Sequence, residues 1–391
     1  MFRIGITRDF LDPQGRIAFG DIGLARLDAA PGVAWEFLPE NTSELTAAHA
    51  AQYDGLLVLG PRVTAATLAG QPRLALVARF GVGYDNIDTE ACTHAGVALT
   101  ITPDGVCRPV AVAALTFVLA LSHKLLIKDR LTRAGRWHEK LNHMGMGLAG
   151  RTLGVIGLGN IGREVFRLAA PLGMRHVAAD PWISASDAAA AGAELVPLEV
   201  LLREADFVVI CCALTEETRH LIDAQRLGLM KKSAYLINIA RGPVVDQAAL
   251  TTALAAGQIA GAGLDVFDPE PIDPQDPLLA LKNVILTPHA LCWTDECFAG
   301  NGHSAVTSLL EVASGRVPRH LVNRAVLNSP LFQAKLRRLA AASCGNAHAP
   351  PQSGQTQAGP RRNGCRHDVH GIRHPRHRPA RRRGGSRIRR V

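Results

Sequence analysis

The sequence lacks a long hydrophobic run and the cysteine spacings of a metal or disulfide site. Its eight cysteines include no C-x-x-C pair, and two of them, Cys211 and Cys212, are adjacent. Neither a zinc site nor a disulfide framework is therefore expected. No uncharged apolar stretch reaches the roughly 18 residues of a membrane-spanning helix, and the first residues, MFRIGITRDF, are strand-like rather than a signal peptide. These features favour a reducing, cytoplasmic location without a bound metal.

The C-terminal segment 341–391 contains no lysine, no Phe, Tyr or Trp and only one acidic residue, but it holds twelve arginines. This segment alone therefore carries a formal charge of +11, and the rest of the chain, with −2, gives no electrostatic argument for binding nucleic acid. Such a composition cannot bury a core, so we expect a disordered basic tail. Two interpretations stay open: the arginines neutralise the phosphates of a nucleic acid, or the segment is an extension read out of frame from GC-rich codons. The absence of aromatic stacking residues favours the second.

What the sequence does contain is a dinucleotide-binding fingerprint, RTLGVIGLGNIG, at positions 151–162. A strand-like run precedes its glycines and a helical stretch follows them. In this context G-x-G-x-x-G indicates a dinucleotide-binding site. Gly157 allows a tight turn, Gly159 lets the backbone approach a pyrophosphate, and Gly162 lets the helix pack on the strand. The helix N-terminus attracts the phosphates. Asp180 follows the next strand, where its carboxylate can bind both ribose hydroxyls and would repel a 2′-phosphate, so we predict NAD rather than NADP.

Alternating strand-like and helix-like runs predict two α/β lobes, and 391 residues suffice for two domains. We predict that 1–104 and 290–335 form a substrate-binding domain, that 105–289 form the NAD-binding domain, and that ligands bind in the cleft between them. A long apolar helix is expected over 110–123, with Pro109 in its first turn. Short continuous apolar runs predict buried parallel strands at 3–7, 33–38, 55–60, 74–80, 97–101, 153–157, 175–179, 207–212, 234–239, 261–265 and 284–287.

Charged side chains follow three of the predicted strands in the second lobe. Arg241 comes after 234–239, Asp265 and Glu270 come at and after the end of 261–265, and His289 comes after 284–287. Each alone has an ordinary structural explanation, such as an ion pair at a strand end. Together they match hydride chemistry on a 2-hydroxy acid, because oxidation also releases a proton, which a histidine accepts near neutral pH. A nearby carboxylate would orient the ring and favour its protonated form, and an arginine can hold a carboxylate bidentately.

In these motifs the chain resembles the D-isomer-specific 2-hydroxyacid dehydrogenase family. The resemblance runs from about residue 2 to 335 and rests on RFGVGYDNID (79–88), the fingerprint with Asp180, ARGPVVD (240–246), LDVFDPEP (264–271) and TPH (287–289). It implies an α/β fold of two doubly wound parallel-sheet lobes, with a Rossmann NAD-binding domain inserted in a flavodoxin-like substrate domain. The implied activity is NAD-dependent interconversion of a small 2-keto acid and its D-2-hydroxy acid, of the hydroxypyruvate, glyoxylate or phosphoglycerate type.

Carried over by position, the resemblance implies a role for each motif residue. His289 would be the acid/base, Glu270 its partner and Arg241 the substrate anchor. The substrate-binding groups would be the amides of Val82 and Gly83 and the charges of Arg79 and Arg241. NAD would be lined by Gly157, Gly159, Asn160, Ile161, Gly162, Asp180, Thr218, Ile239, Ala240, Arg241, Asp265 and His289.

Some positions depart from the family pattern, and two alternatives stay open. Residues 110–112 read Val-Ala-Val where many relatives have a glutamate that supports the hinge, and Trp293 stands where small residues are frequent and is expected to reshape the substrate pocket. Glu270 is not the glutamine of formate-oxidising relatives. Arg62 is either a substrate contact or a solvated surface residue. The alternative function is a non-enzymatic, NADH-sensing, corepressor-like protein, and the resemblance also implies a homodimer formed through the nucleotide lobes and the arm 124–147.

Overall fold

The computed structural model describes residues 1–346, and the remainder of the predicted tail lies outside the described residues. The strands are β1 (Phe2–Ile6), β2 (Val33–Phe37), β3 (Gly55–Val58), β4 (Leu76–Arg79), β5 (Ala98–Thr100), β6 (Thr152–Ile156), β7 (Arg175–Ala179), β8 (Glu194–Leu195), β9 (Phe207–Ile210), β10 (Tyr235–Asn238), β11 (Gly261–Leu264) and β12 (Val284–Leu286). The α-helices are α1 (Ala25–Asp28), α2 (Ala47–Ala50), α3 (Ala65–Leu68), α4 (Thr89–His94), α5 (Pro103–Ser122), α6 (Leu125–Arg133), α7 (Asn160–Ala169), α8 (Ala185–Ala190), α9 (Leu198–Glu204), α10 (Ala224–Leu227), α11 (Gln247–Ala255), α12 (Asp295–Ala313) and α13 (Pro330–Asn346). Short 3₁₀ helices lie at Arg8–Phe10, Trp137–His143, Ala170–Leu172, Gly242–Val244, Pro277–Ala280 and Arg324–Asn328.

The strands form two parallel sheets, one in each predicted lobe. The first sheet has the order β2-β1-β3-β4-β5, and the second has the order β12-β11-β10-β9-β6-β7-β8. In each sheet the chain adds strands on one side of the lobe's first strand, β1 or β6, and then on the other side. This is the doubly wound arrangement, in which ligands bind at the carboxyl ends of the strands. Strands such as β9 and β10 are buried along their whole length, as expected for parallel sheets covered by helices on both faces. The predicted fold class is confirmed, whereas the domain boundaries at 104, 289 and 335 stay predictions.

Local sequence signals explain most element boundaries. Asp88 and Asp246 cap α4 and α11 by accepting hydrogen bonds from the amides of Ala91 and Ala249, as Asp does at helix N-termini. The sequence did not predict β8, because this edge strand is only two residues long and contains no apolar run.

Helix α5 corrects one prediction, because it begins at Pro103 and not after Pro109, which lies inside the helix. Pro103 occupies the first turn, where a missing amide hydrogen costs nothing. The helix also crosses α12 closely: a Cβ on Gly105 would lie 2.2 Å from the backbone nitrogen of Asn301. Helix α5 is long and apolar enough to cross a membrane, but 67% of its most apolar 18-residue stretch is buried inside the protein. Such burial is typical of the core helix of a globular domain.

Helix α13 ties the end of the described chain to the first sheet. The buried ammonium of Lys335 donates to the carbonyls of Leu74 (2.7 Å), Ala95 (2.8 Å) and Gly96 (3.2 Å). Burial lowers the pKa of Lys335 to about 8. Because α13 continues to Asn346, residues 341–346 are helical and not part of a disordered tail, which corrects the predicted tail boundary.

Candidate active site

The carboxyl edges of both sheets carry the predicted site residues. In the first sheet, Arg79 ends β4, and the glycine loop 80–85 follows it. In the second sheet, the predicted residues follow successive strands: Gly157, Gly159, Asn160, Ile161 and Gly162 after β6, Asp180 after β7, Thr218 after β9, Ile239, Ala240 and Arg241 after β10, Asp265 after β11, and His289 after β12.

The turn between β6 and α7 has the shape of a pyrophosphate cradle. Gly157 has a φ of +91°, and a Cβ there would lie 2.6 Å from the backbone nitrogen of Cys212. A Cβ on Gly162 would lie 2.4 Å from the carbonyl oxygen of Gly157, whereas the space beside Gly159 is open. Within the described residues, the amides of Gly159, Asn160 and Ile161 donate to no protein acceptor. Open space and free amides at a helix N-terminus fit the phosphates of a dinucleotide.

The carboxylate of Asp180 is fixed beside this turn. Its Oδ2 accepts from the amide of Leu158 (2.8 Å), and its Oδ1 accepts from the amide of Trp182 (2.9 Å). Each carboxylate oxygen keeps a further lone pair for a ligand hydroxyl. Thr218 lies in a turn after β9, where its hydroxyl donates to the carbonyl of Ala213 (2.7 Å).

His289 and Glu270 form a pair at the ends of β11 and β12. Nδ1 of His289 lies 2.8 Å from Oε2 of Glu270, and the other carboxylate oxygen accepts from the amide of Phe267 (2.9 Å). Burial by itself would raise the pKa of the Glu270 carboxyl. The hydrogen bond and charge of His289, the Phe267 amide and the charge of Arg241 outweigh burial and lower that pKa. The carboxylate therefore stays ionised beside the ring, whose Nε2 is free of this contact.

The loop that carries His289 is held by the buried carboxylate of Asp265. This carboxylate accepts from the hydroxyl of Thr287 (2.6 Å) and from the amides of Ala290 (3.0 Å) and Leu291 (3.1 Å). His289 itself has a φ of +53°, a left-handed conformation that non-glycine residues adopt only when their surroundings impose it. Asp265, predicted beside the cofactor, thus also fixes the backbone of the residue that carries the imidazole.

Arg241 joins the two lobes. Its Nε donates to Oδ1 of Asp85 (2.9 Å), and its Nη1 donates to the carbonyl of Ala240 (2.8 Å). The guanidinium lies against Gly83, because a Cβ there would be 1.3 Å from Nη2 of Arg241. Within the described residues, the amides of Val82 and Gly83 have no hydrogen-bond acceptor. A guanidinium and two free amides therefore converge on one side of the gap, which suits a carboxylate.

Arg79 lies against this loop, because a Cβ on Gly81 would be 3.1 Å from Nη1 of Arg79. Burial and then the positive charge of Arg241 lower the pKa of Arg79 to about 10. The Arg79 guanidinium donates to the carbonyl of Phe80, and its buried Nε has no hydrogen-bond partner within the described residues. Arg62 is exposed, and its Nε lies 4.0 Å from Oε2 of Glu44; both interpretations of this residue, a substrate contact and a solvated surface residue, stay predictions.

The sequence analysis missed two features of the site. Asp85 stood inside the quoted motif RFGVGYDNID, but nothing in the sequence indicated its pairing with a residue 156 positions away. The hydrogen bonds of Asp265 were also missed, although an acid directly after a buried strand is a signal for such a buried cap. Within the described residues, no cluster of three or more histidine, cysteine or acidic side chains could hold a metal ion.

Comparisons with known proteins identify the family of the chain. Residues 115–290 match the sequence model of the D-isomer specific 2-hydroxyacid dehydrogenase, NAD binding domain. The chain is 40% identical over 301 residues to a glyoxylate reductase from Thermococcus onnurineus, covering 75% of this chain and 90% of that protein. A solved D-lactate dehydrogenase from Aquifex aeolicus, complexed with NAD and lactic acid, is similar with a TM-score of 0.70 and 28% identity. That likeness covers 80% of this chain and 96% of the other.

A solved glyoxylate reductase from Paecilomyes thermophila is similar to the same degree, with a TM-score of 0.70, 28% identity, and 80% and 95% of the two chains covered. The sequence relatives identify one family, and the two parallel sheets of the chain match the fold of the similar solved structures. The chain belongs to the D-isomer specific 2-hydroxyacid dehydrogenase family and is an NAD-dependent oxidoreductase that acts between 2-keto acids and 2-hydroxy acids.

Proposed function

We propose that the protein reduces a small 2-keto acid of the glyoxylate or hydroxypyruvate type to the D-2-hydroxy acid, with His289 as the proton donor. The observation that carries the proposal is the pair of His289 and Glu270 at 2.8 Å, in the same gap as the guanidinium of Arg241. The charge of Arg241 also helps to lower the pKa of the Glu270 carboxyl, so the guanidinium lies near the pair of His289 and Glu270.

Each side chain has a separate task in this mechanism. The turn between β6 and α7 and the carboxylate of Asp180 would hold NADH, which would supply a hydride for C2 of the keto acid. The protonated ring of His289, held through Nδ1 by Glu270, gives its Nε2 proton to the carbonyl oxygen as the charge on that oxygen develops. Arg241 and the amides of Val82 and Gly83 hold the substrate carboxylate, which fixes the face of C2 that is reduced. In the oxidative direction the neutral ring accepts the hydroxyl proton.

Two features bear on the substrate. Relatives at about 40% identity are named glyoxylate reductases, and glyoxylate presents only a carboxylate and a carbonyl to the site. Arg79 supplies a second buried cation near Arg241, so a substrate with a second anionic group, such as a phosphorylated hydroxypyruvate, is the other candidate. Arg79→Met discriminates between the two, because only the second substrate loses affinity when that charge is removed.

The test is NADH oxidation by the purified protein with glyoxylate, hydroxypyruvate, pyruvate and a phosphorylated 2-keto acid, followed by chiral analysis of the product. We expect consumption of NADH and the D-hydroxy acid from any substrate with a chiral product. An L-product, or NADH binding without turnover of any keto acid, contradicts the proposal. The second result would instead support the sensor function that retains only the nucleotide site.

We also propose that the protein is a homodimer formed through the nucleotide lobes and the arm 124–147. This proposal is supported by the large apolar side chains exposed along the arm: Leu125, Leu126, Trp137, Leu141 and Met144. Exposed apolar patches of this kind mark association surfaces. Light scattering should give twice the chain mass, and Leu141→Glu with Met144→Glu should give the chain mass.

A further inference from the structure

Two hydrogen bonds between Thr102 and Gly81 fix the start of the loop that carries Val82 and Gly83. The amide of Gly81 donates to the hydroxyl of Thr102 (2.7 Å), and the amide of Thr102 donates back to the carbonyl of Gly81 (2.9 Å). Gly81 has a φ of +127°, so the chain turns away from the direction of β4 at this residue. Thr102 therefore holds the backbone at the point where the loop leaves the first sheet.

The bond to the carbonyl of Gly81 also sets the direction of the Val82 amide. A carbonyl group and the amide of the next residue belong to one planar peptide unit. Because Thr102 holds the oxygen of Gly81, it fixes the plane in which the N–H of Val82 points. That N–H has no acceptor among the described residues, and it is one of the two amides proposed to bind the substrate carboxylate.

The hydroxyl of Thr102 is oriented in turn by Asn301. It donates to Oδ1 of Asn301 (2.8 Å), and Nδ2 of Asn301 donates to Sγ of Cys297 (3.6 Å). A hydroxyl has one proton, so donation to Asn301 leaves the lone pairs of the Thr102 oxygen for the amide of Gly81. Both side chains are buried, and a buried polar group that loses its partner is costly. The two side chains therefore form one continuous support for the loop.

Two glycines bring Asn301 within reach of Thr102. A Cβ on Gly105 in α5 would lie 2.4 Å from Oδ1 of Asn301, and a Cβ on Gly300 in α12 would lie 2.7 Å from Cα of Gly105. The two helices approach this closely because neither position carries a side chain. Asn301 of α12 thus reaches the residue that directly precedes α5.

We propose that Thr102 and Asn301 are positioning residues, which hold the Val82 amide at the angle at which it binds the carboxylate of the 2-keto acid. This inference rests on the proposed function and goes beyond it, because both side chains act through the glycine loop 80–85. Loss of either should weaken binding of the carboxylate and leave the chemical step, which depends on His289, largely unchanged.

The experiment measures KM and kcat for glyoxylate and, by calorimetry, the dissociation constant of oxalate, both with NADH saturating. Thr102→Val removes the hydroxyl and keeps a side chain of similar size. We expect KM and the oxalate dissociation constant to rise about two- to tenfold, the range for loss of one hydrogen bond, with kcat within about twofold of the wild type. Thr102→Ser, which keeps the hydroxyl, should restore both constants.

Asn301→Ala tests the second link and covers the case in which Thr102→Val does not fold. It should raise the same two constants, and the double variant should raise them no further than Thr102→Val alone, because both substitutions break one shared hydrogen bond. Thr67→Val is the matched control. The buried hydroxyl of Thr67 also donates to a carbonyl, that of Leu45, and accepts from an amide, that of Thr64 (3.1 Å). Neither bond involves the glycine loop 80–85, so only thermal stability should fall.

Wild-type values of KM and of the oxalate dissociation constant in Thr102→Val and Asn301→Ala overturn the inference and leave the proposed function intact. An equal rise in Thr67→Val also overturns it, because the effect then follows from lost stability. A wild type that binds oxalate without reducing any keto acid contradicts the proposed function alone, and the oxalate constants of the variants then decide on the inference. If the wild type neither reduces a keto acid nor binds oxalate, both are wrong.

Discussion

Nε of Arg241, after β10, donates a hydrogen bond to Oδ1 of Asp85 in the glycine loop of the other sheet, at 2.9 Å. A second bond, from Nη1 to the carbonyl of Ala240, fixes the guanidinium plane. These two contacts leave Nη2 beside Gly83. Both lobes therefore orient the arginine before a substrate binds. A side chain that is already oriented loses less conformational entropy when the substrate binds.

Asp85→Ala should raise KM for the 2-keto acid by a factor of about two to five and leave kcat nearly unchanged. The pair is half exposed on the Asp85 side, and such pairs contribute about 0–1 kcal/mol. Steady-state kinetics with NADH saturating measure the effect. Glu90→Ala, which removes an exposed acid from the nearby helix α4, should change neither constant. A large fall in kcat with unchanged KM would mean that Asp85 acts on the chemical step.

His289→Asn should lower kcat by about 10²–10⁴, the range for loss of general acid/base catalysis. Asparagine preserves a polar contact to Glu270 but cannot carry the transferred proton. NADH affinity, measured by fluorescence, should stay close to wild type because the pyrophosphate cradle is unchanged. His94→Asn, at an exposed position of α4, is the control. An unaffected turnover number rejects His289 as the proton donor.

Glu270→Gln should move the pH profile of reduction to lower pH. In the wild type the lowered pKa of Glu270 keeps its carboxylate negative beside the ring. A negative charge beside an imidazolium stabilises that form, and an imidazolium is the form that donates a proton. Glutamine removes the charge, so reduction should fade at a lower pH than in the wild type, and oxidation should begin at a lower pH. Profiles of kcat/KM in both directions, with exposed Glu296→Gln as control, measure the shift. Coincident profiles would exclude a charge effect of Glu270.

The parts of the molecule that were predictable have local signals. The glycine spacing and Asp180 predicted the nucleotide turn, and short apolar runs predicted eleven of the strands because buried parallel strands carry uniform apolar sequence. The start of α5 was wrong because proline was read as a helix start at 109, whereas Pro103 fills that position and tight packing on α12 stabilises the earlier turns. The pairing of Asp85 with Arg241 needed the tertiary fold, because no local pattern relates residues from different sheets.

Asp180→Ala should relax the preference for NADH over NADPH. Hydrogen bonds to a charged group contribute about 1.5–3 kcal/mol, so kcat/KM for NADH should fall about tenfold or more. Use of NADPH should improve, because the carboxylate no longer repels a 2′-phosphate. The amides of Leu158 and Trp182 lose their acceptor, so thermal unfolding is measured in parallel. Asp129→Ala, on the exposed surface of α6, should keep the wild-type ratio, and a wild-type ratio in Asp180→Ala would remove Asp180 from cofactor selection.

Lys335→Met should destabilise the protein by about 1–3 kcal/mol. Three carbonyls, those of Leu74, Ala95 and Gly96, lose their donor, and an unsatisfied buried polar group costs about 1–3 kcal/mol. Relief of the buried charge offsets part of that loss. Arg337→Met, exposed on the same helix, should be nearly neutral. Chemical denaturation at pH 7 measures both.

The pH dependence of unfolding tests the same lysine independently. Its pKa is about 8 in the folded protein and about 10.4 in an unfolded chain, so between these values the unfolded state binds more protons. The unfolding free energy of the wild type should therefore gain a positive slope with pH from about 8 to about 10.4, and below pH 8 this contribution to stability is lost. Lys335→Met should lack that part of the slope, whereas Arg337→Met should retain it. Equal slopes in the wild type and Lys335→Met would show that the pKa of Lys335 keeps its ordinary value in the folded protein despite burial of the side chain.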